Sequence, residues 1–135
     1  MVESLYIEVR GQGLHSFTAQ IEDLVTRAQQ DSGLCTLFIR HTSASLLIQE
    51  NADPSARLYL ERWLNRLVPE NDVLYTHTTE GPDDMPAHIK SALTATSLSI
   101  PINRGHLMLG TWQGVYLWEH RHDAAKREIV VHIGG

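Results

Sequence analysis

Residues 4–10, SLYIEVR, set Leu5, Ile7 and Val9 against Tyr6, Glu8 and Arg10, the period-two pattern of a half-buried strand. Gly11 and Gly13 mark a turn. Phe17, Ile21, Leu24, Val25 and Ala28 then recur at helical spacing, which predicts a helix over 18–31 with Gly33 as its C-terminal cap. Apolar runs over 34–40 and 45–50 predict two strands. A second helix is announced by Asp53 as N-cap and Pro54 in the first turn; Ala56, Leu60, Trp63, Leu64 and Leu67 form its apolar stripe, and Pro69 ends it. A third helix, 86–95, follows Asp84 as cap and carries Ile89, Ala92 and Leu93. Leu98, Ile100 and Ile102 alternate with Ser97, Ser99 and Pro101. Residues 106–119 predict one or two strands, in which Gly110 and Gly114 signal a bulge, a bend or a close approach. Residues 127–133, REIVVHI, close the chain as a strand. Helices and strands alternate irregularly, which implies an α+β fold with mostly antiparallel pairing rather than a parallel βαβ series.

Length predicts one domain over 1–135, large enough to bury a core without staples. No apolar run spans a bilayer, so no membrane partner is expected. The first residues lack the basic and apolar regions of a secretory leader, and the lone Cys35 suits a reducing compartment. A cytoplasmic location is therefore expected. The net charge of −5 and the absence of a basic cluster argue against a nucleic-acid partner. The chain holds eight histidines, which makes their placement the next question.

Three polar stretches stand out. The first runs His41-Thr42-Ser43-Ala44-Ser45 and continues to Glu50-Asn51-Ala52-Asp53. A tight turn and an N-capping Asp53 explain part of it, but not the histidine. The second is HTTEGPDDMPAH, 77–88. Neutral imidazoles converging with a carboxylate would suit zinc or another divalent ion. No tight ligand pair such as Cys-x-x-Cys is present, so a plain polar loop stands beside that reading. The third is Gly105 to Val115 with Glu119-His120-Arg121 behind it. Trp112 reads as a core aromatic or as a ring for a ligand, and Gln113 and Arg121 can present donors to an anion. His15, His106 and His132 are left outside the site.

Ser97-x-x-Ile100-x-Ile102-x-x-Gly105 followed by Gly110-Thr-Trp-Gln113-x-Val115 resembles the signature of the YjbQ family. HTSASL at 41–46, EN-AD at 50–53, His77 with EG-DDMP-H at 80–88, and WEHR at 118–121 resemble it too, in order and over nearly the whole chain. Many members have a Glu-x-Asp form where this chain has Glu119-His-Arg, so no role is carried onto His120. The resemblance implies a sandwich-like sheet packed with about three helices, a homotrimer, and a weak thiamine-phosphate synthase activity. That reaction joins hydroxymethylpyrimidine diphosphate to a thiazole phosphate. It also implies a polar pocket for a metal or an anion, built around His41, His77 and His88 as the candidate metal ligands, with Asn51, Asp53 and Glu80 close by. Zinc or magnesium would be the cofactor, and a small phosphorylated metabolite the partner.

On this reading Thr42, Ser43, Asn51, Trp112, Gln113 and Arg121 bind substrate, with Trp112 stacked on a pyrimidine. Asp53 or Glu80 would be the catalytic base in the alternative, a metal-dependent hydrolase or transferase of another phosphorylated metabolite. A trimeric metabolite- or metal-binding protein without turnover is the third reading. Dedicated thiamine-phosphate synthases are (β/α)₈ barrels of about 250 residues, so the chain would not share their fold.

Overall fold

The alternating runs become strands and the 3.6-period stripes become helices in the computed structural model, which describes residues 1–76 and 79–135. In chain order the elements are β1 (Val2–Val9), β2 (Gly13–Ser16), α1 (Thr18–Ala28), β3 (Gly33–Ile39), β4 (Ala44–Glu50), α2 (Pro54–Leu67), α3 (Asp84–Leu93), β5 (Ser97–Asn103), β6 (His106–Leu107), β7 (Gln113–Glu119) and β8 (Ala125–Gly134). All strand pairs are antiparallel. They form a five-stranded sheet, β1-β8-β3-β5-β6, and a three-stranded sheet, β2-β7-β4. The fold is α+β, as the pattern predicts.

The two sheets enclose the main core. Ile7 and Val9 of β1, Cys35, Leu37 and Ile39 of β3, Leu46 of β4, Ile100 and Ile102 of β5, Val115 and Leu117 of β7, and Ile129, Val131 and Ile133 of β8 face one another there. Ile21, Leu24 and Val25 of α1 and the fully buried Phe17 join them. Helices α2 and α3 cover the other face of the three-stranded sheet, where Leu64, Val68 and Trp118 pack with Leu14, Leu47, Leu60 and Ile89. β7 is thus covered on both faces, and Gly114 to Glu119 are all buried. The five-stranded sheet is covered on one face only. Its outer face leaves Val2, Tyr6, Leu34 and Phe38 exposed.

Several expectations change. β2 is absent from the sequence pattern, because four residues opening on Gly13 carry too short an alternation to register. Helix α1 ends at Ala28 with Gln29 in the left-handed region, not at Gly33. Gly33 instead opens β3 at φ +153°, where a Cβ would come 2.2 Å from the Gly134 carbonyl oxygen; the close approach of β8 demands glycine. Asp53 does cap α2, accepting from the Ser55 N–H at 2.9 Å. Trp63 and Leu67 lie outside the inward stripe of α2, which runs through the half-buried Leu60 and the buried Leu64 to Val68 at the C-cap. Asp84 lies in the first turn of α3 rather than capping it. That helix also turns a polar side inward: Asp84, Lys90 and Ser91 are buried, while Ala92 and Leu93 are exposed.

Candidate functional site

The β4–β7 ladder has two ends. Ala44 lies opposite Glu119 at one and Glu50 opposite Gln113 at the other, six residues or about 20 Å apart at roughly 3.4 Å per residue. Most of the buried polar groups gather at the Ala44–Glu119 end.

Strand phase explains why. Glu119 follows Val115 and Leu117 on the core face of β7, and Arg127 precedes Ile129, Val131 and Ile133 on the core face of β8. The two charges meet where the sandwich opens. Arg127 donates from Nε to Glu119 Oε1 at 2.6 Å and from Nη2 to Oε2 at 2.5 Å, a bidentate pair. Nη2 also donates to Ser43 Oγ at 2.9 Å. A buried charge is tolerable only when it is paired, and the bidentate contact with Glu119 supplies that pairing while Ser43 takes a further Nη2 donor.

His41 continues the inward phase of Leu37 and Ile39. Its Nε2 accepts the Glu128 N–H at 2.8 Å, so in the neutral ring the proton sits on Nδ1. Arg127 Nη1 lies 3.4 Å from Nδ1. Burial, and then the Arg127 charge, hold its pKa below the usual histidine value, so the ring is neutral at pH 7.

On the helix-covered face, His120 Nε2 lies 2.9 Å from Ser45 Oγ, and both residues are buried. His120 Nδ1 has no hydrogen-bond partner among the described residues. Burial, with the charges of Lys90 and Arg127, pushes its pKa down to about 3. Alongside it, Arg121 fastens the segment that enters α3. Its Nη1 donates to Asp84 Oδ1 at 2.9 Å and Nη2 to the Glu80 carbonyl at 2.8 Å, and Nε lies 3.2 Å from Asp83 Oδ2. The His122 N–H donates to the same Asp83 oxygen at 2.8 Å. His88 Nδ1 lies 3.2 Å from the Thr42 carbonyl and Nε2 3.5 Å from Asp84 Oδ2. An open groove of about 590 Å³ adjoins this end, lined by Phe38, Ile39, Arg40, His41, Thr42 and Ser43, with Thr96 at its edge.

His41, Thr42, Ser43, His88 and Arg121 therefore lie at one end of the ladder. Asn51, Asp53, Trp112 and Gln113 lie at the other. There the Asn51 N–H donates to the Trp112 carbonyl, and Gln113 Oε1 accepts the Gly110 N–H at 2.7 Å. The Gly-Thr-Trp-Gln segment thus folds into a self-bonded turn with Trp112 exposed, neither a core aromatic nor a neighbour of the groove. Asp53 is occupied in capping α2. Glu80 contributes its carbonyl to Arg121 and is exposed. His77 lies outside the described residues.

Of the three imidazoles proposed as metal ligands, His77 lies outside the described residues, and His41 is poorly disposed toward a cation. His41 has its Nε2 lone pair engaged by an N–H and a guanidinium beside its other nitrogen, surroundings that repel a cation. Among the described residues no three of His, Cys, Asp or Glu are grouped to hold a metal ion. Arg127 is the site residue that motif reading passes over; Glu119 and His120 stand in the WEHR motif but receive no role there. Its signal is present in the chain: Arg127 precedes Ile129, Val131 and Ile133 on the inward face of β8, as Glu119 follows Val115 and Leu117 on that of β7.

The family model for UPF0047 YjbQ-like proteins matches residues 3–135. The UPF0047 protein sll1880 of Synechocystis is 55% identical, with 98% of this chain and 90% of that one aligned. UPF0047 protein YjbQ of Escherichia coli O157:H7 is 41% identical over 98% and 96%. Among solved structures, a yjbq/upf0047 family protein of Clostridium acetobutylicum superposes with a TM-score of 0.88 at 29% identity, covering 98% and 99% of the two chains. The conserved hypothetical protein TT1486 of Thermus thermophilus gives 0.87 at 32% identity, covering 98% and 99%. By sequence and by fold, then, the chain belongs to the YjbQ (UPF0047) family.

Proposed function

We propose that the groove beside His41 binds a small phosphorylated metabolite carrying a heteroaromatic ring, and that the protein acts there as a transferase of the thiamine-phosphate synthase type. The observation that carries this reading is the lining of the groove. Phe38 offers an exposed apolar surface for a ring, while Arg40, held at 3.4 Å by Glu128, and the Thr42 and Ser43 hydroxyls stand beside it for phosphate oxygens. Phe38 takes the stacking role that the sequence suggests for Trp112.

The reaction asks little of the protein's bases. The thiazole nitrogen supplies its own lone pair and attacks the methylene carbon of hydroxymethylpyrimidine diphosphate. The carbon–oxygen bond breaks and diphosphate leaves with the electron pair. Catalysis then consists of aligning the two partners and stabilising the departing charge. The neutral His41 borders the groove without competing for a proton, and the Arg127–Glu119 pair fixes its surroundings. Neither Asp53 nor Glu80 borders the groove, which disfavours the hydrolase reading that relied on one of them as base.

We also propose a homotrimer, supported by the uncovered apolar face of the five-stranded sheet. Phe38 belongs to both that face and the groove, so a groove at a subunit boundary follows.

The test is an assay of purified protein with hydroxymethylpyrimidine diphosphate and thiazole phosphate, following thiamine phosphate and diphosphate by chromatography. Slow turnover is expected. Phe38→Ala and Arg40→Ala should each lower it roughly tenfold or more without lowering the melting temperature. No product, together with no calorimetric binding of the diphosphate substrate, would end the proposal.

A further inference from the structure

Lys90 sits where lysine rarely does. It is 3% exposed, on the polar inward side of α3, and among the described residues no carboxylate oxygen lies within ion-pair distance of it. Its single hydrogen-bond partner there is Asn65 Oδ1, at 2.5 Å. Buried lysines are ordinarily ion-paired; an unpaired one tends toward the neutral amine. Burial lowers the Lys90 pKa, against the more distant charges of Glu70 and Asp83.

Lys90 and its partner Asn65 both line a cleft of about 320 Å³ on the α2–α3 side of the molecule, separate from the groove beside His41. Asn65 is itself fixed by donating to Gln12 Oε1 at 3.0 Å, and Gln12 donates to the His120 carbonyl at 3.2 Å. This chain of bonds holds the acceptor of Lys90 in place. Across the same cleft His122 Nε2 and Glu70 Oε1 lie 2.6 Å apart, an exposed acid–base pair.

We propose that this cleft is a second site, in which Lys90 condenses with a small aldehyde or keto acid to form a Schiff base. The Nζ lone pair attacks the carbonyl carbon, and the carbonyl oxygen takes up a proton, giving a carbinolamine. Loss of the nitrogen-bound proton and of hydroxide as water leaves C=N. One water is released and nothing is oxidised. The His122–Glu70 pair relays both protons. The site is independent of the groove and of the transferase reading.

The sequence supplies its own control, because Lys90 and Lys126 are its only lysines, and Lys126 is exposed on β8. Full-length protein is incubated with glyoxylate and sodium cyanoborohydride at pH 7, and the reduced carboxymethyl adducts are mapped by peptide mass spectrometry. Lys90 should be modified at least tenfold faster than Lys126. Lys90→Arg should abolish the fast adduct and Lys126→Arg should leave it. Equal or faster labelling of Lys126 in the wild-type chain would overturn the proposal. That comparison needs no variant to fold, and it reads no transferase turnover.

Discussion

Arg127 and Glu119 form a buried pair whose energetics are set by what removal leaves behind. Arg127→Met strands a fully buried carboxylate and should cost about 3–5 kcal/mol. The double variant Arg127→Met/Glu119→Leu removes both charges and should recover much of that loss. Urea denaturation of the two proteins checks this. Acid has its own signature. His120 has its pKa pushed down to about 3 in the folded chain, whereas the unfolded chain takes a proton near pH 6.5. The folded state is therefore undiminished above about 6.5 and loses stability as pH falls below it, by about 1.4 kcal/mol per unit for this group until its folded pKa is reached. Asp83 adds to the loss at lower pH. Burial alone would raise its pKa, but hydrogen bonds from the His122 N–H and Arg121, together with the Arg121 charge, hold it below the ordinary value. Its contribution is present above the usual aspartate range and disappears below it. In His120→Gln the slope of stability between pH 6.5 and 4 should flatten, read from denaturation midpoints across that range.

At the scale of elements, the ladder separates capping and turn-forming from the groove. Asp53→Ala should remove about 1 kcal/mol of stability through the lost N-cap while leaving turnover at the groove unchanged; denaturation and the transferase assay measure the two independently. Gly33→Ala should be more severe than a typical surface change. The new Cβ meets the Gly134 carbonyl at 2.2 Å, so β3 and β8 must part, and the melting temperature should drop. Most elements are legible in the chain because burial on one face writes a period into the sequence, as in β1, β3 and α1. β2 is not, since its four residues are too few for a period. The polarity of α3 misleads for a related reason. Ala92 and Leu93 look inward by composition, but the helix lies over the polar end of the ladder, where Asp84, Lys90 and Ser91 find partners.

For the molecule as a whole, the uncovered sheet face is the feature that calls for company. Val2, Tyr6, Leu34 and Phe38 share it, and exposed apolar patches of this kind commonly mark subunit contacts. For the proposed trimer, Tyr6→Glu should shift the sedimentation coefficient to that of a monomer. A wild-type chain that sediments as a monomer at micromolar concentration would refute the assembly. The candidate site is half legible. His41, Thr42, Ser43, His88 and Arg121 stand out because they sit together in polar runs. The pairing of Glu119 with Arg127 does not, because Arg127 is one charge on the otherwise apolar inward face of β8, and no local window shows that β7 and β8 bring the two together. The Gly-Thr-Trp-Gln segment misleads in the other direction, because a turn that satisfies its own backbone looks, in one dimension, like a binding loop.

Placement of the indoles decides what light can report. Trp63 and Trp112 are wet, whereas Trp118 is 5% exposed with its ring centroid 5.6 Å from that of His120. Emission from the first two will form a red-shifted background that is indifferent to events near the Ala44–Glu119 end. A blue-edge component should come from Trp118 alone, so excitation spectroscopy has one internal reporter beside that end without any dye being attached.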